Sequence, residues 1–169
     1  MCSERWEIIL RTYGTIKGLP VFDARNAVCI GKICDIVISS GGRVSGLILD
    51  GRGLFKKDRF IPLSCIGSVG EDGVMVSDLE QLQSLGAAKE DDRFRGNGQL
   101  FNKTVYSRTG EQLGLLEDVY FTEQLGTIVA YELTDGFFAD LTEGRKKVNP
   151  LSEELMVSKD AIVMDVIQE

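Results

Sequence analysis

The 169-residue chain contains no histidine. Ser-His-Asp and Cys-His nucleophile systems are therefore excluded, and so are histidine metal ligands. Proline is scarce, at three residues, and no segment is of low complexity, so extended disorder is not expected. No run approaches the ~20 apolar residues of a membrane-spanning helix. The opening Met1-Cys2-Ser3-Glu4-Arg5-Trp6-Glu7 is charged and only Ile8-Ile9-Leu10 follow it, too little for the apolar core of a secretory signal. A cytoplasmic protein is expected. No Gly-x-x-x-x-Gly-Lys-Ser/Thr phosphate loop occurs, and Gly51-Arg52-Gly53 opens no helix. The four cysteines, Cys2, Cys29, Cys34 and Cys65, all lie in the first half. Their spacing matches no zinc ribbon or finger. Buried reduced thiols are the expectation, with no metal and no cofactor.

An excess of positive charge is also lacking. Residues 1–85 balance ten Lys/Arg against ten Asp/Glu. Residues 86–169 carry nine against sixteen, which accounts for the whole net charge of −7. The second half as a whole repels nucleic acid, and any RNA contact needs a local basic patch.

What the chain does have is a repeat. Val21-Phe22 recurs as Val105-Tyr106, and Gly31-x-x-x-Asp35-Ile36-x-Ile38 recurs as Gly114-x-x-x-Asp118-Val119-x-Phe121. Pro62-Leu63-Ser64 recurs as Pro150-Leu151-Ser152, and Val69-x-x-Asp72-x-Val74-Met75-Val76 as Val157-x-x-Asp160-x-Ile162-Val163-Met164. The offset is 84 residues, then 83, then 88 for the last two motifs. A unit of this size repeated twice predicts two similar small domains, at 1–85 and 99–169, with 86–98 as a polar, glycine-containing linker. Phe94 is expected to pin that linker to a domain surface.

Strand signals dominate each unit. Ile33–Ile38 and Val44–Leu49 flank a Gly-rich turn and read as a hairpin, as do Leu115–Phe121 and Thr127–Leu133. Shorter strands are expected at Ile8–Lys17, Gly18–Phe22, Arg59–Ile61, Lys147–Val148, Gly73–Val76 and Ala161–Val166. Single helical turns are expected after Pro62 and Pro150, because proline suits a first helical position. One or two more turns are expected at Ser77–Leu82. Short strands at regular spacing imply a mainly β fold of small barrels.

The order of these motifs resembles the PRC-barrel family, which includes the cytoplasmic domain of the photosynthetic reaction centre H subunit and the C-terminal domain of a ribosome maturation factor. The first copy supplies Val21-Phe22, Gly31, Asp35, Ile36, Pro62-Leu63-Ser64, Gly70, Asp72, Val74 and Val76. The second supplies Val105-Tyr106, Gly114, Asp118, Val119, Pro150-Leu151-Ser152, Asp160 and Ile162, with Ser158 in place of the late glycine. The resemblance implies two PRC-type β-barrels in tandem that make protein contacts, with no reaction. It is similar to uncharacterised bacterial tandem proteins, some from sporulation or envelope contexts.

Asp35 and Asp118 occupy equivalent positions. A catalytic pair is one reading, but the preferred one gives each carboxylate the amides of a loop to hold. The shared Gly31, Pro62, Asp72, Gly114, Pro150 and Asp160 are read as requirements of the barrel. The loops before each Pro-Leu-Ser combine aromatic and basic residues: Arg52, Phe55, Lys56, Lys57 and Arg59, then Phe137, Phe138, Arg145, Lys146 and Lys147. Aromatics beside arginine are favoured at protein interfaces, phosphates of RNA or anionic lipid are the alternative target, and a solvated hairpin whose aromatics fold back onto the barrel is the reading without a partner. The expectation is a non-enzymatic adaptor with a protein partner. A ribosome- or RNA-maturation factor, or an adaptor at a membrane surface, is the alternative.

Overall fold

The computed structural model describes residues 9–52, 57–88, 92–124, 126–135 and 146–166. The first copy runs through β1 (Leu10–Thr12), α1 (Tyr13–Ile16), β2 (Pro20–Asp23), β3 (Cys29–Ser39), β4 (Val44–Leu49), β5 (Arg59–Pro62), β6 (Ile66–Val69), β7 (Val74–Val76) and β8 (Gln83–Ser84). The second runs through β9 (Arg93–Arg95), β10 (Thr104–Ser107), β11 (Gln112–Thr122), β12 (Ile128–Thr134), β13 (Lys146–Val148), β14 (Pro150–Val157) and β15 (Ile162–Val166). The strands form two sheets, ordered β6-β7-β2-β3-β4-β5-β8 and β13-β12-β11-β10-β15-β14. The fold is mainly β and tandem, as the repeat implies. No helix among the described residues is long and apolar enough to cross a membrane.

The repeated glycine has a local cause. Where β2 meets β3, the register slips between Val21 and Phe22, opposite Gly31. Where β10 meets β11, it slips between Val105 and Tyr106, opposite Gly114. The glycine φ angles are +150° and +143°, a region that side-chain-bearing residues avoid. A Cβ on Gly31 would also approach the Asp50 carbonyl oxygen to 2.9 Å. The bulge bends each long strand so that it can serve two neighbours.

Those two neighbours belong to different copies. The first residues of β3 pair with β2, but Val37, Ile38 and Ser39 pair with Arg95, Phe94 and Arg93 of β9. The first residues of β11 pair with β10, but Tyr120, Phe121 and Thr122 pair with Thr12, Arg11 and Leu10 of β1. Each copy thus lends its opening strand to the other. Residues 93–98, expected within the linker, make a strand and the start of an irregular turn over Gly96–Leu100. Phe94 is packed against the core as expected. The hairpin turns also meet: Arg43 bridges Thr127, and the Val44 amide donates to the Gly126 carbonyl at 2.8 Å.

The core is continuous across both copies. Ile36, Ile38, Val44 and Leu47 of the first share one cluster with Val119, Phe121, Ile128 and Tyr131 of the second, and Tyr13 and Leu100 lie within it. Each such side chain removed from water contributes about 1.5–3 kcal/mol.

Three local expectations are corrected. Pro150–Glu154 is not a helical turn but the start of β14. Exposed Glu154 and Met156 alternate with buried Leu155 there, a period of two that favours strand. Pro62 does lead into a single helical turn, over Leu63–Cys65. Cysteine burial is also uneven: Cys65 is buried and Cys34 half-buried, but Cys29 is exposed. The strand expected over Ile8–Lys17 ends at Thr12, and Tyr13–Ile16 forms α1 instead.

The exchange of strands predicts that the copies will not part when the chain is cut. With a protease site placed at residues 89–91 and cleaved in the folded protein, both fragments should co-elute in gel filtration and separate only in denaturant. Separation under native conditions would mean two independent domains.

Candidate functional site

The two repeat carboxylates lie at the junction of the copies, and the strand exchange explains why. Asp35 is fully buried on β3. Its Oδ1 accepts from its neighbour Ile36 N at 2.8 Å and from Asn97 N at 3.0 Å, while its Oδ2 accepts from Arg95 Nε at 2.9 Å. Arg95 and Asn97 come from the arm of the second copy. Asp118 mirrors this on β11: Oδ1 accepts from Val119 N at 2.8 Å, and Gly14 N points at both oxygens, at 3.2 and 3.1 Å. Gly14 follows β1 of the first copy. A Cβ there would come within 2.6 Å of Asp118 Oδ2, so a larger residue would push the carboxylate aside.

The mirror is imperfect. In register, Arg95 faces Val37 and Thr12 faces Tyr120, so threonine stands where the other arm has its arginine. Burial raises the Asp118 carboxyl above the usual aspartate range, and Glu132, its cross-strand neighbour, adds to this against the opposing amides. Tyr13 sits between the two acids. Its hydroxyl donates to the Cys34 carbonyl at 3.1 Å, and its ring stacks on Phe101 with centroids 5.2 Å apart. Burial, then Asp35, Cys34 and Asp118, push its ionisation well up. Burial pushes the Cys34 thiol up to about 11, with Asp58 and Asp50 reinforcing it. These groups are held in the forms that pack, and both carboxylates are occupied by arm amides.

Arg11 of β1 adds a second tie. Its guanidinium meets Glu123 at 3.3 Å and also donates to the Val69 carbonyl; Glu123 in turn accepts from the Val69 amide at 2.9 Å. The end of edge strand β6 is thereby covered by the second copy. Leu155 N of β14 donates to Ser40 O at 2.9 Å, a similar cover in the other direction.

The basic-loop residues are distributed over two sheets. Arg52 is exposed and chelated by Asp50, Nη2 to Oδ2 at 2.8 Å; the guanidinium holds that carboxyl below the usual range. Both line an open depression of about 540 Å³ with Cys29, Gly31 and Lys32. Lys57 is exposed, and Arg59 is half-buried on β5. Lys146 and Lys147 are exposed on β13, with Lys147 Nζ 4.4 Å from the Tyr120 ring centre. Phe55, Lys56, Phe137, Phe138 and Arg145 lie outside the described residues, as does Trp6. Asp72 and Asp160 are exposed in equivalent turns, where Gly70 N bonds Gly73 O at 2.9 Å and Ser158 N bonds Ala161 O at 3.0 Å.

Two surface rows were not legible in the motifs. On the outward face of β2-β7-β6, Phe22, Met75 and Ser68 stand side by side in register. On the outward face of β10-β15-β14, Tyr106, Val163 and Met156 do the same. Met75 is 40% and Met156 53% exposed. Strand alternation gives the signal, since Val21, Val74 and Ile162 beside them are buried.

The family model for the PRC-barrel domain matches residues 10–83 and again residues 94–169. The chain belongs to the PRC-barrel family. Each PRC-barrel match begins with the exchanged strand, so β1 and β9 are the opening strands of their own units although each lies on the other. The chain is also similar to a Bacillus subtilis (strain 168) protein, Uncharacterized protein YrrD, with 35% identity over 157 residues, covering 92% of this chain and 88% of that one. Arg95, Asn97 and Gly14 were missed in the sequence. Upstream, Leu10-Arg11, Gly14 and Ile16 match Phe94-Arg95, Gly98 and Leu100 at an offset of 84, one residue out of step with the strand register, which sets Thr12 in the place of Arg95.

The unequal acids give unequal predictions. Asp35→Ala leaves a guanidinium and an arm amide without their acceptor and should cost about 3–5 kcal/mol. Asp118→Ala leaves only amides and should cost about 1–3 kcal/mol; urea unfolding measures both, and equal losses would contradict the asymmetry. For pH, a carboxyl raised in the folded state binds its proton more tightly than in the unfolded chain. Its stabilising contribution is complete below the ordinary aspartate value and is lost as pH rises through the folded value. The stability of the wild type relative to Asp118→Asn should therefore grow as pH falls from neutral toward 4, and a constant difference would refute the assignment.

Proposed function

We propose that the chain is a non-catalytic, cytoplasmic adaptor that binds partner proteins through its paired outward rows and its basic loops. The observation that carries this reading is the duplicated row itself. Aromatic residues and methionine are enriched at protein interfaces, and methionine adapts to irregular partners. Here an aromatic residue and one or two aliphatic ones stand in register on each copy. A rigid shared core fixes both rows. The acids that a hydrolytic reading would need are engaged with the arms.

Protein is favoured over phosphate as the ligand because arginines that could grip phosphate already hold carboxylates. Arg52 is tied to Asp50, Arg25 to Asp23 and Asp78, and Arg108 to Asp165 and Glu154. Such pairs compete with an incoming anion.

The test is capture from host extract with the full chain as bait, after nuclease and high-salt washing. Met75→Glu and Met156→Glu, each checked for unchanged melting, should reduce capture of a specific protein about ten-fold or more. Charge reversal at Lys57 and Lys146 should weaken it further. Partners that survive all four changes would remove the reading, and turnover of any substrate in a broad panel would remove its non-catalytic part.

A further inference from the structure

The exchanged strands show that a PRC unit of this chain receives its arm from outside itself. Both family matches open on the arm, at residues 10 and 94, yet β1 pairs with β11 and β9 pairs with β3. The acceptor surface is thus built for an opening strand that arrives from another unit. Each arm joins its own unit through a short segment with a left-handed residue, Gly18 at φ +82° in one and Asn102 at φ +69° in the other. Glycine and asparagine tolerate this conformation better than other residues, so these segments suit a change in chain direction.

The two arms are not held alike. The β9 arm carries Arg95 into a fully buried carboxylate. The β1 arm reaches Asp118 through amide contacts, and its Ile9 and Leu10 are 47% and 50% exposed. Exchange of an identical element between molecules preserves every contact and is a low-cost route to dimers. We infer that the chain self-associates through this arm: residues 10–16 of one molecule occupy the place of the same residues in a second copy, with β1 pairing on that copy's β11. The partner is another copy of this chain, because only its arm reproduces the Arg11–Glu123 pair, the Gly14 gap over Asp118 and the Tyr13–Phe101 stack. This inference is independent of the adaptor reading.

A disulfide can trap the exchange. Glu123 N bonds Ile9 O at 3.0 Å, so the next pair, Leu10 with Thr122, is of the non-hydrogen-bonded kind, in which side chains lie close. In a full-length background with Cys2→Ser and Cys29→Ser, one chain carries Leu10→Cys and a second carries Thr122→Cys. Mixed, incubated and mildly oxidised, they should give a reducible covalent dimer on a non-reducing gel. Its yield should rise with protein concentration and exceed several-fold that from Leu10→Cys mixed with Lys159→Cys. A yield no higher than this collision control, while the chain carrying both cysteines closes its disulfide internally, would overturn the inference. A doubly substituted chain that stays reduced would remove the β1–β11 pairing itself, and the inference with it.

Discussion

The architecture depends on one constraint: β3 and β11 are each eleven residues long, but β2 and β10 of their own copies cover only the opening part. The remaining peptide groups need partners, since a buried strand edge without hydrogen bonds is costly. The other copy's arm supplies them. Everything distinctive about the junction follows from this. The carboxylates of Asp35 and Asp118 stand where the arm turns away from the strand, so they accept the amides that the ladder no longer pairs. The shared core follows as well, because α1 and the Gly96–Leu100 turn carry Ile16 and Leu100 inward as the arms cross.

Much of the fold was legible in the sequence. The hairpins were marked by β-branched runs around glycine turns, and the repeat located equivalent bulges through Gly31 and Gly114. The two acids were recognised as holders of loop amides, which they are. The loops they hold were not recognised, because nothing in the spacing of a repeat shows whether a unit pairs with itself or with its twin. The arm residues Arg93–Arg95 are polar and short, and without periodicity they read as linker. Proline fits a helix start, which makes Pro150 ambiguous on its own; the alternation in the residues that follow it favours strand. The candidate site was legible only as composition. Arg52, Lys57, Lys146 and Lys147 are exposed, the last two on strand β13, whereas the outward rows of Phe22 with Met75 and Tyr106 with Met156 require the register of strands far apart in the chain.

The junction also shows how local chemistry diverges on a common scaffold. One acid accepts from an arginine, and the other accepts from backbone amides with a glutamate across the strand. The first is a satisfied ion pair in a dry setting, and the second a carboxylate whose charge is poorly supported. The same backbone therefore supports a rigid attachment at one end and a softer one at the other.

Joining the copies has a consequence for what each surface is free to become. In a symmetric homodimer both halves carry the same residues, so a change that helps one half is imposed on both. Here Ser84 of the first copy and Arg93 of the second lie on one chain, nine positions apart, and the pair stays together by covalent linkage rather than by concentration. Self-complementarity is no longer required. The arginine in one arm and threonine in the other, and the neutral first half beside a second half of charge −7, are differences that a symmetric homodimer could not hold.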